Sequence, residues 1–127
     1  MQLNATTDYA LSLLLTLAGS GRVMTAQELS ESTGITKNYC FEILKKMRRA
    51  GLVESQRGSV QGGYRLARKP EYITVGEVVE LFEGTRKIDR CLDEDDSVQV
   101  ASAVYAFWEA LQSKLQEQYE TPLSKLQ

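Results

Sequence analysis

Histidine is absent from this 127-residue chain, and cysteine occurs only twice, at Cys40 and Cys91. Without histidine there is no imidazole for general acid–base work, and no hydroxyl or thiol stands beside an obvious base. No glycine-rich phosphate cradle opens a helix either, because Gly58, Gly62 and Gly63 fall between two strand-like segments. An enzyme is therefore not expected. Two cysteines are too few for a disulfide framework and are expected as reduced thiols. No apolar run approaches the roughly 18 residues of a membrane span, and the first residues lack a basic stretch followed by a small-residue cleavage site. These absences predict a cytoplasmic chain that does not enter the membrane. No internal repeat or low-complexity segment is present.

The composition that remains is ordinary for a soluble domain, with 43% apolar and 25% charged residues. One core with an appended arm is expected. The net charge of −2 conceals a strong asymmetry. Residues 20–70 hold ten Lys or Arg against four Glu, a net of +6, whereas residues 71–127 hold five basic and twelve acidic residues, a net of −7. A basic module fused to an acidic one suits a chain that grips phosphate with one half only.

The local signals are helical first. A helix beginning after Thr6 or Thr7 runs through Ala10, Leu11, Leu13, Leu14, Leu15, Leu17 and Ala18 to Gly19, apolar on nearly every face. Asp8 sits in its first turn, where a carboxylate complements the helix dipole. Thr25 and Glu28 form a capping box for a short second helix, the turn Ser32-Thr33-Gly34 reverses the chain, and Thr36 caps a third helix. That is a helix-turn-helix step. The third helix places Cys40, Ile43, Leu44 and Met47 inward and ends near Gly51. Leu52 to Glu54 and Tyr64 to Leu66 then read as a hairpin whose loop, Gly58 to Gly63, is long enough to project.

Pro70 marks a boundary, and Thr74 with Glu77 predicts a second capping box for a helix bearing Val75, Val78, Val79 and Phe82, closed by Gly84. Arg86 to Ser97 reads as a loop with the acidic cluster Asp93-Glu94-Asp95-Asp96. From about Ser97 to Tyr119, Ala101, Val104, Trp108, Leu111 and Leu115 recur at spacings of three and four. A helix of roughly 35 Å is expected there, longer than one small core needs, so its stripe predicts a symmetric homodimer. The predicted fold class is mainly α with a small β wing: a winged helix-turn-helix plus a long C-terminal dimerisation helix. The segments are 1–84 for the winged module, 85–96 for an acidic effector loop and 97–127 for the dimerisation helix and tail.

Several segments together resemble the Rrf-two family of bacterial winged-helix transcription regulators, which includes iron–sulfur, nitric-oxide and cysteine-metabolism regulators. They are Asp8-Tyr9-Ala10-Leu11, Ile35 to Tyr39, Leu44 to Val53, Arg57-Gly58 with Gly62 to Leu66, and Ile73 to Val78. The resemblance implies a DNA-binding dimer on a palindromic operator in double-stranded DNA, with repression the expected mode. It places Thr36, Lys37, Asn38 and Tyr39 on the DNA-facing edge of the third helix, and Arg57 and Arg65 in the wing. Lys37 suits guanine and Asn38 adenine, whereas Lys45, Arg48, Arg49 and Arg65 suit phosphate. A winged interaction module that does not bind DNA is the rival reading.

Many members of that family hold an iron–sulfur cluster through three cysteines before the long helix. Cys91 matches the first of the three, Ser102 stands at the last, and Tyr105 stands where some members carry histidine. Asp8 matches the position from which some members donate a carboxylate to the other subunit. The set is incomplete, so no cofactor is expected. Three readings stay open: a mixed site of Asp8, Cys91 and a further ligand; Cys91 as a redox or electrophile sensor beside Arg90 and Lys87; and a cluster-free regulator answering to a small-molecule or protein effector. The last is preferred.

Overall fold

The computed structural model describes residues 2–56, 62–89, 92 and 100–127. Helices α1 (Ala5–Ser20), α2 (Ala26–Thr33) and α3 (Lys37–Arg49) lead into an antiparallel hairpin of β1 (Val53–Gln56) and β2 (Gly63–Leu66). A 3-10 turn (Pro70–Tyr72), α4 (Val75–Glu83), α5 (Ser102–Tyr119) and a terminal 3-10 turn (Leu123–Lys125) complete the order.

The core lies where α1, α2, α3 and α4 converge on the hairpin. Leu13, Leu14, Leu29, Leu44 and Met47 are fully excluded from solvent there, joined by Ile73, Val78 and Leu123. At roughly 1.5–3 kcal/mol for each large apolar side chain, this cluster is the main source of stability. The predicted capping box at Thr25 is present in full: Thr25 accepts from Glu28 N, and Glu28 accepts from Thr25 N. Thr36 caps α3 by accepting from Tyr39 N. Between these helices Gly34 adopts φ +80°, a left-handed conformation that a residue with a Cβ enters at a cost.

Several boundaries differ from the sequence expectation. Helix α1 is capped by Asn4, which accepts from Thr7 N at 3.3 Å, and runs past Gly19 to Ser20. The expected cap Thr7 is instead buried, and its hydroxyl donates to Glu83 Oε2 at 2.5 Å, where Asn4 N also donates at 3.0 Å. The far carboxylate thus selects the cap. At α4, Thr74 accepts from Glu77 N, but the Glu77 carboxylate turns to a bidentate pair with Arg68, at 2.8 and 3.2 Å, so the second capping box is half formed. A guanidinium outcompetes a neutral backbone donor.

The strands also shift by a residue or two. Leu52 is not in β1; its N–H donates to Met47 O and closes the end of α3. Strand β2 begins at Gly63, and the register pairs Val53 with Leu66 and Gln56 with Gly63. Met24 adds a third, single-residue rung against Tyr64, with bonds of 2.9 and 2.8 Å. Helix α5 has 18 residues, about 27 Å, because Val100 and Ala101 are not helical. After it the chain returns to the winged module: Val75 N donates to Thr121 O, and Leu123 N to Ile73 O.

Candidate nucleic-acid interface

Helix α3 has two sharply different sides. Cys40, Ile43, Leu44 and Met47 are buried, while Thr36 at its cap and Lys37, Asn38, Lys45, Arg48 and Arg49 along it are exposed. At about 100° per residue the buried set falls in one arc, and Asn38, Lys45 and Arg49 fall roughly opposite it. Among the described residues Lys37, Asn38, Lys45 and Arg49 make no side-chain hydrogen bond or ion pair, so their donors remain available. Arg48 donates to Ser55 Oγ at 3.2 Å, which draws its guanidinium toward β1.

An open groove of about 390 Å³ separates α3 from the hairpin and the start of α2. Lys37, Phe41 and Arg48 line one wall, Ser55, Gln56 and Tyr64 another, and Gln27 the end. Arg65 is exposed on β2 and pairs with its cross-strand neighbour Glu54 at 2.5 Å. Both members are about half exposed, so the pair is worth little in water and a phosphate can displace it. Arg22 similarly holds Glu28, and this guanidinium, with the Thr25 N–H, keeps the Glu28 carboxyl below its usual range.

Two expected DNA-facing residues have other partners or lie elsewhere. Tyr39 is half-buried: its hydroxyl hydrogen-bonds Thr6, and its ring meets Tyr9 edge-on at 5.7 Å, so it fastens α3 to α1. Arg57 lies outside the described residues. Phe41 and Gln27 line the groove but carried no role in the sequence reading. Helical spacing sets Phe41 outside the buried arc, one turn after Lys37 and one turn before Lys45, but the groove itself needs the hairpin as its other wall.

The second candidate surface is α5, which has no buried residue. Of the predicted seam, Ala101, Val104 and Leu111 are exposed, and Trp108 and Leu115 are partly covered. Phe107, outside that seam, is 62% exposed and packs edge-on against Trp108 at 5.2 Å. On the flank of the seam away from Phe107, Gln112 clamps the start of the preceding loop, accepting from Ile88 N and donating to Arg86 O.

The donor set does not fit a thiolate-bound iron–sulfur cluster. The chain has two cysteines and no histidine. Cys40 is fully buried in α3, its thiol directed at Ile35 O, and burial pushes its pKa up. Cys91 lies outside the described residues. Asp8 is exposed on the first turn of α1. Among the described residues no three His, Cys, Asp or Glu side chains converge as a metal site. No helix among them is long and apolar enough to cross a membrane.

Comparison with known proteins identifies the family and the fold. A family model for Rrf2, described as an iron-dependent transcriptional regulator, matches residues 3–127. The HTH-type transcriptional regulator NsrR of Bacillus subtilis is 35% identical over 106 residues, spanning 82% of this chain and 72% of that protein. CymR, the global cysteine regulator of B. subtilis, superposes with a TM-score of 0.84 at 23% identity, covering 99% of this chain and 95% of the other. IscR of T. potens superposes with a TM-score of 0.74 at 24% identity, covering 99% and 85%. At those identities the structural likeness establishes the winged helix-turn-helix fold, and the sequence matches establish kinship. The chain belongs to the Rrf2 (Rrf-two) family of DNA-binding transcriptional regulators, which are not enzymes.

Proposed function

We propose that the protein is a homodimeric, cytoplasmic repressor that binds a palindromic operator in double-stranded DNA without an iron–sulfur cluster. The observation that carries this reading is the exposed edge of α3, where Asn38, Lys45 and Arg49 stand opposite the buried Cys40, Ile43, Leu44 and Met47, and Lys37 and Arg48 flank that buried arc toward the hairpin. Thr36, Lys37 and Asn38 at its N-terminal turn would meet base edges. Lys45, Arg48, Arg49 and Arg65 would meet the backbone, Arg57 is carried over from the family resemblance as a wing residue, and Tyr39, held by Thr6 and Tyr9, would steady α3 on α1.

The homodimer reading is supported by α5, whose Val104, Phe107 and Leu111 are exposed at 45%, 62% and 36%. Pairing Ala101, Val104, Trp108, Leu111 and Leu115 with their copies would cover that stripe and set two α3 helices on successive turns of the duplex. The segments 1–84, 85–96 and 97–127 would then bind DNA, receive an effector and dimerise. A small-molecule or protein effector fits the incomplete cluster ligand set.

A second reading draws on the family's description as iron-dependent and on the exposure of Asp8: Asp8 and Cys91 would form part of an iron or redox site. Anaerobic purification with iron and sulfide assays on the parent and Cys91→Ser separates the two. A colourless, iron-free parent that binds operator DNA upholds the proposal. Stoichiometric iron lost in the variant overturns its cluster-free part. The DNA-contact assignments are tested by Asn38→Ala, expected to relax preference at one base position at a cost of about 1–3 kcal/mol, and Arg65→Ala, expected to weaken all sequences equally.

A further inference from the structure

We propose that Phe41 is a specificity-determining residue that reads the C5-methyl group of a thymine in the major groove. This rests on the DNA-binding reading above. Phe41 is 43% exposed, although the other apolar side chains of α3, Cys40, Ile43, Leu44 and Met47, are buried. Among the described residues its ring engages no other ring and no cation, unlike Phe82, which lies under Lys46 Nζ at 5.2 Å. The core does not use it, and an exposed apolar ring gains nothing from water.

Its position on α3 gives it a use. At about 100° per residue, Phe41 points between Lys37 and Arg48 on one side and Asn38 and Lys45 on the other. It is thus the one apolar group in the middle of a cationic strip, and with Lys37 and Arg48 it lines the groove facing the hairpin. Flanking cations suit a polyanion and disfavour an apolar protein partner, which would have to desolvate them. Base edges in the major groove carry one apolar feature, the thymine methyl, and apolar side chains recognise it by contact. One helical turn is about 5.4 Å, so Phe41 would meet a base pair roughly one or two steps from that met by Lys37.

The test uses duplexes that the full-length parent selects from a random library at fixed salt. Each thymine of a selected duplex is replaced in turn by uracil, which removes only the methyl group, and dissociation constants are measured for the parent, Phe41→Ala and Phe41→Leu. One thymine per half-site is expected whose replacement weakens the parent roughly four- to tenfold and leaves Phe41→Ala unchanged, with Phe41→Leu between them. The salt dependence of Phe41→Ala should match the parent, because no phosphate contact is lost. The proposal is overturned if every uracil substitution affects parent and Phe41→Ala alike, or affects neither. A parent that selects no sequence overturns the DNA-binding reading itself, and this inference with it.

Discussion

Gly63 opens β2 beneath the strand-like rung of Met24, and a methyl group there has nowhere to go. A Cβ at this position would lie 2.5 Å from Met24 O, 2.7 Å from Met24 C and 2.9 Å from Val23 Cγ1. The first two are backbone atoms, so the chain must part rather than a side chain swing. Parting it stretches the two Met24–Tyr64 bonds, now 2.9 and 2.8 Å, each worth about 1 kcal/mol net. Overpacking adds about 1–3 kcal/mol if the chain gives only partly. Gly63→Ala should therefore destabilise by about 2–4 kcal/mol, lowering Tm by roughly 6–16 °C for a chain of this length. Gly19→Ala is the internal control, since a Cβ there meets nothing within 4 Å and the residue is helical. That change should stabilise by about 0.5–1 kcal/mol. Thermal unfolding followed by circular dichroism measures both. If Gly63→Ala costs less than about 1 kcal/mol, or both substitutions shift Tm in the same direction, the packing of Met24 on the hairpin is misdescribed.

Other consequences concern the helices and the buried thiol. Leu111→Glu places a charge in the α5 seam and should yield monomers that bind DNA poorly; analytical ultracentrifugation that still finds a dimer moves the interface elsewhere. Thr25→Ala removes a cap and should cost about 1 kcal/mol in urea unfolding, whereas no change would mean that α2 is held by packing alone. Burial raises the Cys40 pKa in the folded state, so its contribution is fully present below the unfolded thiol's pKa and is lost as pH rises above it. Stability of the parent should decline with alkaline pH more steeply than that of Cys40→Ala, and equal slopes would refute this. In the native protein Cys40 should also resist alkylation until unfolding.

What could be read in advance was what adjacent residues decide. Thr25 with Glu28, Thr36 before a helix, and Gly34 between helices each satisfy orphan backbone groups within a few positions, and each occurs as expected. The misses have long-range causes. Asn4, Thr6 and Thr7 are all competent caps, and Glu83, far along the chain, makes the choice by accepting from Asn4 N and Thr7 Oγ1. Glu77 leaves its capping box because Arg68 is folded beside it. Gly63 read as the end of a projecting loop, yet it lies in β2 and is packed against Met24 from another segment.

The candidate interface divides the same way. Helical periodicity alone separates Lys37, Asn38 and Lys45 from the buried face of α3. It does not show that Tyr39 is bound by Thr6 and Tyr9, because that requires the packing of α1. Nor does it show that Phe41 borders a groove, since the hairpin forms the other wall. The exposed apolar face of α5 was legible from spacing, but its length was overstated by extending the pattern through Val100 and Ala101.

The exposed edge of α3 and the hairpin are proposed to grip DNA through phosphate. The most direct measurement is the equilibrium affinity of the parent for a duplex it selects from a random library, taken at several salt concentrations between about 50 and 200 mM. Log affinity should fall linearly with log salt, losing orders of magnitude across that range, with a shallower slope in Arg48→Ala and Arg65→Ala. Binding that ignores salt would contradict a phosphate grip altogether, and slopes unchanged in both variants would contradict its placement on α3 and the hairpin.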